Sequence, residues 1–245
     1  MKKNTLNRPG PRSLTDAIAQ AKQDGQEVHL LSYDIVFEPL KKTDHLPKPV
    51  QDQLDDLHDL LFTDPKSAIP PLLQLKKQFP KVPVIYNYLT AAYGRAGEHE
   101  ATRQLAEENF RLNPQYLFAR INYAQFCLMD GRWERIPDIF EGKFDLKLLY
   151  PKRTQFHVTE FSGFTGVMCS YFSLIGEKET AKLLYESLLE VAPDSESVRF
   201  ANVFVKPSLL QRLFQWSLKK SRETAEEKAK LEQVQPSESE SNFQA

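Results

Sequence analysis

Val84-Ile85-Tyr86-Asn87-Tyr88-Leu89-Thr90-Ala91-Ala92-Tyr93-Gly94-Arg95-Ala96-Gly97 is the stretch that decides the fold. Its residues Ile85, Tyr86, Leu89, Ala92 and Tyr93 recur at three- and four-residue steps, the period of one helix face, and Gly97 breaks the pattern. A second helical pattern follows through Ala101, Leu105 and Ala106 and closes at Leu112-Asn113-Pro114. The unit then repeats. Gly131 stands 34 residues after Gly97, and Thr63 stands 34 before it. Five residues after these three positions come Ala68, Thr102 and Ile136, and seventeen after the first two come Pro80 and Pro114. The signature returns at Gly176, Ala181 and Pro193, but 45 residues after Gly131, so about eleven extra residues intervene. A fixed period in this range belongs to stacked supersecondary units rather than to one globular core.

Upstream, Leu54, Leu57, Leu60 and Leu61 form a helical stripe, with Asp52, Asp55, Asp56 and Asp59 on the other faces. Asp64 followed by Pro65 is a helix start, a capping carboxylate and then a residue that loses no amide bond there. Pro70 and Pro71 fall inside the helix that follows and are expected to bend it, an interior proline costing ~3 kcal/mol. Downstream, Phe118, Ile121, Tyr123, Ala124, Cys127 and Leu128 lead to Gly131, and a short second helix runs from Trp133 to Phe140, weakened by Pro137 and Gly142. Lys143 to Thr154 then read as an irregular insertion that loops out of the stack and tolerates shortening. The last pair is the best formed: Phe161, Phe164, Val167, Met168, Tyr171, Phe172 and Leu174, then Ala181, Leu184, Tyr185, Leu188 and Leu189.

The ends differ from the middle. Residues 1–12 collect proline and glycine without periodicity and read as a flexible lead. Residues 13–48 are expected to pack on the repeats as a helix capped by Ser13 and an extended strip, 28–40, for which no second strand is evident. Residues 196–220 read as capping helices, first 197–205 and then a basic amphipathic helix from Pro207 carrying Leu209, Leu210, Leu213, Phe214 and Leu218. From 221 onward charge gives way to Pro236-Ser237-Glu238-Ser239-Glu240-Ser241, too polar to order itself. With 32 basic and 33 acidic residues the net charge is −1, so no global basic field draws the chain to nucleic acid. Cys127 and Cys169 sit in apolar stretches as expected free thiols, which suits a reducing compartment. The start has no apolar core of a secretory signal and no run spans a membrane, so cytoplasm is the expected location.

Helix pairs on this period, with Tyr86, Leu89, Tyr93, Gly97, Leu112 and Pro114 in one unit and Met168, Cys169, Phe172, Gly176, Ala181, Tyr185 and Pro193 in another, resemble tetratricopeptide repeats. The resemblance covers residues 49–195, about four units. It implies an all-α, right-handed α-solenoid with an N-terminal extension and a C-terminal capping helix. It also implies that the first helices line a concave groove that binds a peptide segment or partner protein. By that geometry the groove is lined by Asn87, Ala91, Arg95, Phe118, Ile121, Asn122 and Gln125, flanked by Gln53, Leu57, Leu128, Gly166, Ser170 and Ser173. Some members clamp a carboxylate with cations in this groove, but Phe118 and Asn122 stand where those cations belong. The groove therefore reads as apolar with a polar rim, unless the strip 28–40 occupies it.

No chemistry competes with this reading. His29, His45, His58, His99 and His157 form no metal-ligand pair, and the aspartates of 52–59 read as a solvated face. Ser162-Gly163-Phe164-Thr165-Gly166 lacks the lysine of a phosphate loop and lies in a helical pattern, which points to close helix packing. The sequence thus predicts a non-catalytic adaptor, scaffold or assembly chaperone without cofactor or metal. The alternative is an accessory or regulatory subunit of an enzyme or membrane-associated complex, contacting it through the basic helix after Pro207.

Overall fold

The computed structural model describes residues 33–38 and 46–207. The helix expected after Ser13, the ends of the strip, the helix after Pro207 and the charged tail lie outside them. The described residues form an all-α stack of consecutive helix pairs. The helices are α1 (Lys48–Thr63), α2 (Pro65–Gln78), α3 (Pro83–Ala96), α4 (His99–Leu112) and α5 (Leu117–Met129), then α6 (Ile136–Ile139) and α7 (Leu146–Leu149). α8 (Val158–Ile175), α9 (Lys178–Val191) and α10 (Glu196–Val205) complete the stack. α1, α3, α5, α8 and α10 are the first helices of successive units; α2, α4 and α9 are second helices, and a 3₁₀ turn at Trp133–Arg135 with α6 takes that place in the third unit.

The period has a local cause. Gly97, Gly131 and Gly176 turn the chain with φ of 82°, 72° and 92°, where a side chain would be strained. The first unit needs no glycine, because Asp64 ends α1 and caps α2, its carboxylate accepting from the Ser67 amide at 3.3 Å. α2 continues through Pro70 and Pro71 to Gln78. Ala68, Thr102, Ile136 and Ala181, the positions five residues on, are all buried where paired helices cross. The Tyr86 hydroxyl donates to the Pro80 carbonyl at 2.8 Å, tying the end of one unit to the first helix of the next.

α8 is the central helix: residues Glu160 to Tyr171 are all buried. Its glycines serve packing, as their pattern suggests. A Cβ at Gly163 would stand 3.1 Å from Ile121 Cδ1, and one at Gly166 would stand 3.1 Å from Ser197. α8 thus lets both α5 and α10 approach closely.

Two expectations fail. Lys143 to Thr154 do not loop out: Leu146 is fully buried, Leu149 nearly so, and both join Ile139, Phe140 and Phe156 in the core of α5 and α8. The insertion fills space that the short second helix of the third unit leaves open. The strip also finds a partner. β1 (Asp34–Val36) pairs in parallel with β2 (Gln155–His157), Ile35 opposite Phe156, and Tyr33 meets the Phe156 ring edge-on at 5.0 Å. The intervening helices supply the long crossover that a parallel pair requires.

Candidate partner-binding groove

α3 packs against both α1 and α5. Across two of them the Asn122 side chain donates from Nδ2 to Asn87 Oδ1 at 2.9 Å. This leaves the Asn87 amide group and the Asn122 carbonyl directed away from their mutual bond. Ala91 follows Asn87 by one turn on α3, and Gln125 follows Asn122 on α5; all four are half-buried. Phe118 is half-buried as well, packed on the core of α5 and α8 and edge-on to Tyr116 at 5.8 Å. The surface therefore alternates apolar contact with side-chain amides that both donate and accept.

The rim toward α1 is aromatic and charged. His58 meets Tyr88 at 5.5 Å and Phe62 at 5.3 Å, and the Arg95 guanidinium lies 4.5 Å over the Phe62 ring. Burial, then the nearby charges of Asp55 and Asp59, pushes the Tyr88 hydroxyl up to about 12. Arg95 also pairs with Glu196 of α10 at 3.0 Å. Of these residues the sequence reading placed only Arg95 in the groove. Phe62 carried a signal, since it falls off the Leu54–Leu57–Leu61 stripe and is 60% exposed.

Most other expected groove residues lie inside the protein, Ser173 being half-buried. Ile121 is buried against Gly163, Leu57 belongs to the core of α1 to α4, and Leu128 to that of α5 and α8. Gly166 and Ser170 are buried, Ser170 donating to the Gly166 carbonyl at 2.8 Å, and Ser173 donates to the Phe204 carbonyl at 2.8 Å. The glycines of α8 are the reason: with no side chains there, α5 and α10 cover what would be the wall of the fourth unit. Among the expected groove residues of α1, α3 and α5, Gln53, Asn87, Ala91, Arg95, Phe118, Asn122 and Gln125 are half-buried or exposed, and Arg95 reaches Glu196 at the start of α10. The described part of the strip, 33–38, lies against β2 and the core of α5 and α8.

Reactive groups elsewhere are engaged in structure. Cys127 and Cys169 are free and buried, and burial pushes the Cys169 thiol up to about 12. The His157 ring accepts from the Thr159 amide at 3.3 Å, and its other nitrogen lies 3.2 Å from the Phe37 carbonyl, so it caps α8 and holds β1. Glu160 completes that capping box and pairs with Arg153 at 2.6 Å. Among the described residues no group of three or more His, Cys, Asp or Glu side chains is placed to hold a metal ion. No described helix is long and apolar enough to cross a membrane. Compared with protein-family models, curated proteins and solved structures, the chain matches none of them.

Proposed function

We propose that this chain is a non-catalytic protein–protein interaction module of the tetratricopeptide type. It acts in the cytoplasm as an adaptor, scaffold or assembly chaperone and binds an extended segment of a partner protein across α1, α3 and α5. The observation that carries the reading is the Asn122–Asn87 pair. Two amides on adjacent first helices, coupled at 2.9 Å, offer one donor group and one acceptor to a ligand. A peptide backbone presents the complementary set in any sequence. Ala91 and Phe118 beside them supply apolar contact for side chains, and Gln125 adds a further amide.

The test is site-specific photo-crosslinking in the native cell. A photoreactive residue at Ala91 or Gln125 should yield a discrete adduct, whereas one at Lys182, exposed on α9, should not. Adducts from Lys182 alone would move the binding surface to the other side of the stack.

A further inference from the structure

We propose that Arg95 and Glu196 form an ionic latch that pins α10 to α3, with the joint between α4 and α5 as its hinge. The two residues are 101 positions apart, and their helices, α3 and α10, are separated in the stack by α5 and α8. Gly163 and Gly166 let α5 and α10 pack closely on α8, and Glu196 at the start of α10 reaches Arg95 at the end of α3.

Each partner is stable in place without the other. Arg95 lies in the last turn of α3 and over the Phe62 ring, both favourable to a cation. Glu196 lies in the first turn of α10, favourable to a carboxylate, with Arg199 at 3.9 Å. Their side chains are 33% and 70% exposed, so the pair is accessible to salt and to competing charges. These are the properties of a contact that opens at little expense.

The rest of the fold supplies the joint. Buried residues of α1 to α4 form one apolar core, and most of those of α5 to α8 form another, while a third cluster joins Cys169 of α8 to α9 and α10. Between α3–α4 and α5 lie polar and aromatic contacts: Asn87 with Asn122, Arg103 with Asp130, and the Phe110 ring stacked on Tyr123 at 4.9 Å. The two halves are thus joined through these contacts and not through one shared cluster of buried apolar residues. Since the asparagine pair spans the joint, opening the latch changes the spacing of the amides that face a ligand.

The inference extends the groove reading but is tested without any partner. Spin labels are placed on Gln53→Cys in α1 and Lys182→Cys in α9 of the full chain, where the buried Cys127 and Cys169 resist labelling, and the distance is read by pulsed electron resonance. The otherwise native chain should give one narrow distance. Glu196→Gln and Arg95→Gln should lengthen and broaden it by on the order of one helical turn, ~5 Å. Raising the salt to ~1 M should do the same, and the charge-reversed pair R95E/E196R should restore the narrow distance. Circular dichroism checks that each variant keeps its helices. Unchanged distances in both single variants, or a reversed pair that stays as open as the singles, would overturn the latch.

Discussion

Gly166 and Ser197 touch so closely that a Cβ on the glycine would stand 3.1 Å from both the serine Cβ and its carbonyl oxygen. Gly163 faces Ile121 at the same distance, but the nearest atom there is the far end of a flexible side chain. Alanine gains about 1 kcal/mol over glycine in a helix interior. At Gly163 that gain should roughly offset the crowding, so Gly163→Ala is expected within about 1 kcal/mol of the parent. At Gly166 a backbone carbonyl must move, and overpacking of this kind costs ~1–3 kcal/mol. Gly166→Ala is therefore the more destabilising of the two in a denaturant titration.

The segment 143–154 belongs to the core. Leu146 is fully buried among Ile139, Phe140 and Phe156, so Leu146→Ala should lose ~2–5 kcal/mol. Deleting the segment should lower the melting temperature far more than Leu148→Ala, whose side chain is 48% exposed. Equal melting temperatures for the deletion and the parent would return the segment to the status of a loop.

Acid should weaken one turn of the third unit in a defined window. Glu141 holds a left-handed φ of 56° and accepts from Lys143 at 2.8 Å and from the buried Arg120 at 2.5 Å. The Lys143 bond first, then the Arg120 bond, holds its carboxyl down to about 2, from an ordinary value of 4.5. With the folded value below the unfolded one, this stabilisation is present above pH 4.5 and is lost as pH falls toward 2. The carboxylate is 40% exposed, so solvent screening limits the contribution to ~1 kcal/mol. Glu141→Gln should therefore melt below the parent at pH 7, and the gap should narrow steadily between pH 4.5 and pH 2. A gap that is constant across this range would assign the loss to something other than the charge.

The sequence carried the stack because its signals are local. Pro65, His99 and Trp133 begin the successive second-helix segments 34 residues apart, and the glycine turns within units need positive φ whatever surrounds them. What escaped it is set by distant partners. A three-residue strand such as Asp34–Val36 has too little alternation to identify, and its mate directly follows an insertion without period. Leu146 and Leu149 read as loop residues because nothing nearby predicts the space they fill. The resemblance turns Ile121 toward the groove, whereas the residue sits closely on Gly163 and belongs to the core of α5 and α8. The neighbours of Arg95 lie at Phe62 and Glu196, separations over which no sequence pattern acts.

The groove is tested most directly by the affinity for a crosslinked partner segment, measured by titration calorimetry for the native chain and for the double variant Asn87→Ala with Asn122→Ala. Both side chains are half-buried at the surface of their helices, so the variant should keep its helicity and melting temperature. Removing two amide contacts to a peptide backbone, each worth ~0.5–1.5 kcal/mol, should weaken binding about tenfold. An unchanged affinity in a variant that remains folded would contradict the assignment of this groove as the binding surface.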